Sequence, residues 1–488
     1  MGITSLEFIA FGTISIFLFY CIPVKVRWVY LLLLNIAFIA LSGNLLLIIY
    51  PVTTIFITWI CTNGMEKAGS DEKTKKRLLA LGLTANLGVL IVLKYANLGI
   101  YTYNALTRSV IEPIRFLIPL GISFYTMSVM GYLFDVYYEI EKPEKNYFRL
   151  LLFGTYFPLM ISGPIVRYGE TSIQLRADKG FDDTRLIKGM IRIMWGFFKV
   201  LVISERLAVI CSGEYNGIFV LLSAICFTLR LYANFSGSMD IVIGLSSVLG
   251  IELPENFDRP FASETIQEFW QRWHITLGSW LRDYVLYPLL RSRVFTNLTK
   301  KLKDRYGKKK SGKITTYLAM LVLWLFAGLW HGGAWKYIWG VGLLQWIYIV
   351  VGEITRPHFE KLYNKAGINT RSTVLILLRR ARTFLLMSLA LVFFSADSLR
   401  AGFGTIADAF VSSRHITDVG LDTKNLAILI TSLIAWILVS CLGRQKEDEN
   451  RSYSIIRWVV LYGLIFAVIL FGSYGPGYSA AEFIYQGF

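Results

Sequence analysis

Among the 488 residues there are only four histidines and five cysteines, and charged residues make up 17%, too few for a soluble chain of this length. The cysteines (Cys21, Cys61, Cys211, Cys226 and Cys441) are scattered. None forms a redox or metal-like pair, so they read as small buried hydrophobes and no metal is expected. No linker rich in Gly, Pro or Ser divides the chain, and no clear internal repeat is present. A single integral-membrane domain over 1–488 follows. The first apolar stretch lacks a basic leader and a small-residue cleavage site, so it reads as a retained span. Acidic residues are also scarce, 33 against 50 Lys and Arg, which leaves a net charge of +17.

Apolar sequence is plentiful: the hydrophobic fraction is 55% and the mean hydropathy is +0.52. About 20 apolar residues cross a bilayer. Stretches 3–23, 28–42, 45–61, 78–95, 114–134, 187–211, 216–233, 314–331, 336–354, 375–396, 424–442 and 458–473 approach or meet that need. Stretches 149–165 and 238–251 read as re-entrant or partial spans. Backbone in lipid must satisfy itself, so the spans are helices. The fold class expected is an all-α polytopic membrane protein with roughly 11–13 transmembrane or re-entrant helices.

The positive charge is clustered. Lys67, Lys73, Lys75, Lys76 and Arg77 share one loop, and residues 291–313 carry ten Lys or Arg against Asp304 alone. Further clusters lie at 356–382 and 444–457. The positive-inside rule places these loops in the cytoplasm and both termini outside, in a multi-pass cell-membrane protein. Anionic membrane lipids are the partner this charge fits. Basic runs without interleaved exposed aromatics argue against nucleic acid.

Residues 254–290 differ in kind. Pro254 and Pro260 bracket a loop, and Ser263-Glu264 offers a helix start. Glu268, Trp270, Arg272, Trp273, His274, Trp280, Arg282, Asp283 and Tyr284 follow. The mixture suits an interfacial helix, or one dipping into the interior to line a cavity.

His331 lies in a stretch, 314–354, whose only formal charges are Lys336 and Glu353. Two spans fit that length, with a break at His331-Gly332-Gly333. An intramembrane histidine is a functional candidate. Apolar surroundings favour the neutral ring, the form that acts as general base. His274 could orient a substrate, stabilise an oxyanion or pass a proton; it could equally be an interfacial residue facing water. His358 and His415 read as surface residues. Asp240 pairs with Arg230 or lines the cavity, and Asn234 lies beside it in sequence. The ending Phe483-Ile484-Tyr485-Gln486-Gly487-Phe488 offers a phenol between apolar anchors; by its residues alone it reads as a packed or frayed terminus.

Several blocks together resemble the membrane-bound O-acyltransferase family. They are Glu255-Asn256-Phe257-Asp258-Arg259-Pro260-Phe261, Phe269-Trp270-Gln271-Arg272-Trp273-His274, Trp280-Leu281-Arg282-Asp283-Tyr284 and Leu329-Trp330-His331-Gly332. Pro119-Leu120-Gly121-Ile122-Ser123-Phe124, Ser162-Gly163-Pro164, Asn234-Phe235-Ser236-Gly237 and Ser5-Leu6-Glu7-Phe8 extend the resemblance nearly end to end. Phe394-Ser395-Ala396-Asp397-Ser398-Leu399 and the tail 483–488 resemble the alginate O-acetyltransferase branch, with teichoic-acid D-alanyltransferases as close cousins.

The resemblance implies helices around a central funnel, His331 and His274 as catalytic residues and Tyr485 as acyl relay. Trp273, Trp330, Asn234 and Asp240 are the expected substrate-binding residues. The implied donor is a cytoplasmic thioester, acetyl-CoA or an acyl carrier protein, with no metal. The implied partner is an extracellular SGNH-hydrolase-like acyltransferase acting on a cell-surface polysaccharide. Two positions depart from the pattern: Gln345 stands where a second histidine is common, and Asn234 where Asp is usual. D-alanyl transfer to teichoic acid is the alternative chemistry. A membrane transporter or lipid flippase is the alternative of another class.

Overall fold

The computed structural model describes residues 1–177, 179–213, 215–411, 420–442 and 451–474. Among these every named element is helical, and the one β contact is an isolated antiparallel bridge between Phe257 and Trp273. Among the described residues, seven helical segments are long and apolar enough to cross a membrane: Val24–Leu41, Leu45–Ala68, Glu72–Thr107, Phe219–Val248, Arg293–His331, Trp335–Lys365 and Thr423–Cys441. Leu6–Cys21 and Ile455–Phe471 are apolar but shorter. The protein is an all-α, multi-pass membrane protein. Other apolar stretches of the sequence are broken, charged or buried within protein.

Contacts group the helices into two units. Among the described residues, one comprises Met1–Arg206, Leu231–Pro254 and those from Thr423 to Tyr474; the other comprises Leu207–Arg230 and those from Glu255 to Asp422.

In the first unit, Ile122–Tyr137 is the innermost helix, with buried residues on every side, including Phe124, Tyr125, Met127, Val129 and Leu133. A helix buried all round is a core helix, here at 16 residues rather than full span length. Stretch 149–165 is interrupted as expected. Tyr147–Thr155 ends at Tyr156 and Phe157–Ile161 restarts. Buried Asn35 holds the break: its Nδ2 donates to Leu152 O at 3.4 Å and Thr155 Oγ1 at 3.3 Å, and its Oδ1 accepts from Phe157 N at 2.9 Å. A helix end away from water needs such partners.

Stretch 238–251 corrects the expectation of a partial span. Residues 219–248 form one continuous 30-residue helix through Asn234 and Gly237. Gly237 serves close approach and makes no break. A Cβ on Gly237 would lie 2.8 Å from Gly196 O, and one on Gly244 would lie 2.8 Å from Gly189 O. Two glycine pairs, each seven residues apart, let the Asp183–Phe197 helix run against this one backbone to backbone.

In the second unit, residues 254–290 are not one helix. Thr265 caps a short helix, Ile266–Arg272, by accepting from Glu268 N at 3.1 Å, so the start falls two residues after Ser263. The chain breaks at Trp273-His274 and restarts as Ile275–Leu281. Residues 282–286 then widen into an i→i+5 turn. Such π segments recur at functional sites.

The basic stretch 291–313 lies in a helical hairpin. Gly307, at φ 76° and ψ 163°, breaks the helix between Arg293 and His331. Thr299 Oγ1 donates to Thr315 Oγ1 at 3.0 Å. A straight helix would hold residues sixteen apart at about 24 Å. The arms therefore fold back on each other at Gly307, with Phe295, Ser311 and Thr315 buried between them and Lys300, Lys301, Lys303, Lys308, Lys309 and Lys310 exposed. His358, expected in a loop, is an exposed residue of the Leu344–Lys365 helix.

Candidate active site

The arm after Gly307 ends at His331, as the His331-Gly332-Gly333 break implied. Gly332 is extended, its N–H donates to Leu329 O at 3.2 Å, and the chain restarts at Trp335. His331 is 3% exposed.

Three contacts fix where it sits. The first is a glycine crossing: a Cβ on Gly328 would lie 2.8 Å from Tyr337 O and 2.9 Å from Ile338 Cα. The opposing backbone, Ile338–Leu343, is itself a π segment. The second is Phe394, whose ring meets the His331 imidazole edge-on at 5.8 Å and Tyr337 at 5.1 Å. The third is Lys336, whose Nζ donates to Ala396 O at 2.6 Å at the end of the Thr373–Ser395 helix. A cation there complements the carbonyl end of the helix dipole. Phe394 and Lys336 were visible in sequence as part of a block resembling the alginate branch and as a charge in an apolar stretch; neither pointed to His331, because helix packing far apart in the chain joins them.

His274 comes to the same place from the short-helix pair. It is 1% exposed. Its ring lies 5.5 Å from that of Trp330, and Trp330 lies 5.0 Å from His331, both edge-on. The indole of Trp330 thus touches both imidazoles. His274 has φ 48° and ψ 52°, a left-handed conformation that costs about 1–3 kcal/mol for a residue with a side chain. The cost is met by Asn256, which is 1% exposed. Asn256 O accepts from Ile275 N at 3.0 Å. Asn256 Oδ1 accepts from Thr276 N at 3.1 Å and Thr276 Oγ1 at 2.9 Å, and lies 3.1 Å from His274 Nδ1. Outside the spanning helices, burial lowers the pKa of His274 to about 3, so the ring is neutral near neutral pH. The reading of His274 as a water-facing interfacial residue is corrected by this burial.

Trp273 packs its ring on Phe269 at 5.4 Å and Phe257 at 5.1 Å and is 3% exposed. It supports the His274 turn through this aromatic stack. Gln345, at the departure from the family pattern, is 1% exposed and engaged at both ends. Its Oε1 accepts from Trp270 Nε1 at 3.0 Å, and its Nε2 donates to Gly340 O at 3.0 Å inside the π segment.

Asn234 and Asp240 belong to the first unit, on the Phe219–Val248 helix. Asn234 is 3% exposed. The pairing of Asp240 with Arg230 is corrected: Asp240 Oδ2 meets Lys199 Nζ at 2.5 Å and Oδ1 meets Arg192 Nε at 3.0 Å. Lys199 Nζ also donates to Ser236 Oγ at 2.9 Å. The physical reason is the double glycine crossing, which lays Arg192 and Lys199 beside the turn between Gly237 and Gly244. His415 and Tyr485 lie outside the described residues.

Chemically, the second unit presents two buried imidazoles on one indole. That constellation can take a proton from a hydroxyl and return it to a leaving group. No group of three His, Cys, Asp or Glu suited to a metal occurs among the described residues.

The comparisons agree with this chemistry. The model of the membrane-bound O-acyltransferase family matches residues 44–301, which include His274. The chain is 32% identical over 464 residues to the probable alginate O-acetylase AlgI of Pseudomonas syringae pv. tomato, covering 90% of this chain and 82% of that protein. It is 29% identical over 361 residues to the peptidoglycan O-acetyltransferase of Helicobacter pylori, covering 67% and 63% of the two chains. It is 31% identical over 230 residues to the teichoic acid D-alanyltransferase of Bacillus subtilis, covering 45% and 55%. A transporter or flippase is thereby set aside, and the chain, a membrane enzyme that transfers acyl groups to hydroxyls, belongs to the membrane-bound O-acyltransferase family.

Proposed function

We propose that this acyltransferase moves an acetyl group from a cytoplasmic thioester, acetyl-CoA or an acyl carrier protein, to the outer face of the cell membrane for O-acetylation of a polysaccharide. The observation that carries the acyl-transfer chemistry is the contact of His274 and His331 with one buried indole, Trp330. The similarity to alginate and peptidoglycan O-acetyl-transferring relatives over most of the chain favours acetyl. The shorter match to a D-alanyltransferase favours it over D-alanyl.

In this reading His331 is the general base and Tyr485 the nucleophile. The neutral imidazole takes the phenol proton as the phenolic oxygen attacks the thioester carbonyl. The tetrahedral intermediate collapses, the C–S bond breaks, and the imidazolium returns its proton to the thiolate. A tyrosyl acetate and a free thiol result. An outer hydroxyl, held by an SGNH-hydrolase-like partner, then attacks the ester and restores the phenol. Trp330 supports both rings, and Trp273 backs the His274 turn through its aromatic stack. The basic loops face the cytoplasm and both termini face outward, which puts Tyr485 on the delivery side.

The test is O-acetyl content of surface polysaccharide in cells whose own copy is replaced by Tyr485→Phe. The substitution removes one oxygen. A relay predicts near-complete loss; acetylation equal to wild type eliminates the relay.

A further inference from the structure

We propose that Asn256 is a positioning residue that locks His274 as the Nδ1–H tautomer, leaving Nε2 as the nitrogen with the lone pair. The inference deepens the proposed function and rests on it for its catalytic meaning. Its geometric basis is separate.

The orientation of the Asn256 amide is fixed by its neighbours. A backbone N–H can only donate, and Thr276 N lies 3.1 Å from Asn256 Oδ1. The atom facing His274 Nδ1 at 3.1 Å is therefore an oxygen, which can only accept. Nδ1 must donate. A neutral imidazole has one N–H, so Nε2 carries none. Asn256 is anchored beside the turn: its backbone carbonyl accepts from Ile275 N at 3.0 Å, and Thr276 N and Oγ1 hold its Oδ1. The adjoining bridge adds Asp258 N to Arg272 O at 3.0 Å.

Several charged groups on the elements packed around this turn are held by partners other than His274. Arg272 meets Glu268 at 2.8 Å, Arg259 meets Asp258 at 3.3 Å and Arg282 meets Asp283 at 3.4 Å. Arg379 meets Glu264 at 3.1 Å, Arg382 donates to Glu264 O at 2.8 Å, and Lys313 meets Glu353 at 3.6 Å. The titratable ring sharing Trp330 with His274 is His331. Asn256 is thus the group that selects the tautomer.

The consequence is a choice among the roles His274 could play. Stabilising an oxyanion needs an N–H aimed at the substrate, and the single N–H of the neutral ring is spent on Asn256. Nε2 can only accept. His274 therefore accepts a hydrogen bond from a hydroxyl, orienting the nucleophile that His331 deprotonates, and does not act as an oxyanion donor.

The first test reads the tautomer in the wild-type chain. The protein is labelled with ¹⁵N-histidine in nanodiscs, and His274 is identified by its loss in His274→Gln. Near neutral pH, Nδ1 is expected in the protonated range and Nε2 in the unprotonated range. An Nε2–H tautomer or an imidazolium overturns the proposal.

The second test uses Asn256→Asp and Asn256→Ala with acetyl-CoA as probe. A carboxylate at the same place accepts the same hydrogen and stabilises the imidazolium. The rising limb of kcat/KM against pH should move up by about one unit or more. Alanine should lower kcat by about 10²-fold, with little change in donor KM and no such displacement. An Asp variant whose profile superposes on wild type overturns the positioning role. A wild-type protein that consumes no acetyl-CoA contradicts the donor reading, while the tautomer spectrum still decides the present proposal.

Discussion

Gly328 meets Gly342 without a side chain between them: a Cβ on Gly328 would lie 3.1 Å from Gly342 Cα. His331 sits three residues beyond Gly328, so this crossing sets where the imidazole ends.

Gly328→Ala should therefore impair transfer although it touches no substrate. Overpacking of this kind costs about 1–3 kcal/mol, and the helix must shift to relieve it. Activity should fall more than yield of folded protein. Size-exclusion profile and transfer rate, measured on the same preparation, check this. Full activity would show that the His331 position tolerates displacement of its helix.

Asp240→Asn should behave as a stability variant. It leaves Lys199 and Arg192 without their carboxylate in a mostly buried place. Breaking a buried pair costs about 3–5 kcal/mol. The midpoint of thermal unfolding in detergent should drop clearly. A midpoint equal to wild type, with raised donor or acceptor KM, would instead return Asp240 to substrate binding.

The basic hairpin should recruit the donor by charge. Lys308, Lys309 and Lys310 are exposed beside the Gly307 turn. Converting all three to Gln should raise the apparent KM for a thioester donor and flatten its salt dependence. The field acts over about 8 Å at physiological salt. An unchanged KM at low salt would leave these residues with topology alone.

How much of this was legible depends on the range of the interaction. The break after His331 was readable because Gly332 and Gly333 follow the histidine directly. The unusual character of 254–290 was readable from its mixture of charge and tryptophan. The second helix start and the left-handed turn at His274 were not, since Asn256 holds that turn from eighteen residues away. The Gly307 hairpin was hidden in a uniformly basic stretch, where charge masks the Phe295 and Thr315 contact face. The partners of Asp240 were misread because Arg230 is near in sequence, whereas Lys199 and Arg192 arrive through glycine-mediated packing of another helix.

The measurement that tests the central claim most directly is intact-protein mass of the purified chain after incubation with acetyl-CoA, followed by peptide mapping. Base catalysis by His331 onto Tyr485 predicts one added acetyl group on the 483–488 peptide of the wild type. It predicts none on Tyr485→Phe and a strongly slowed appearance on His331→Ala, a general base being worth about 10²–10⁴-fold. Acetylation of the His331→Ala protein at the wild-type rate, or an acetyl group retained by Tyr485→Phe, would contradict it.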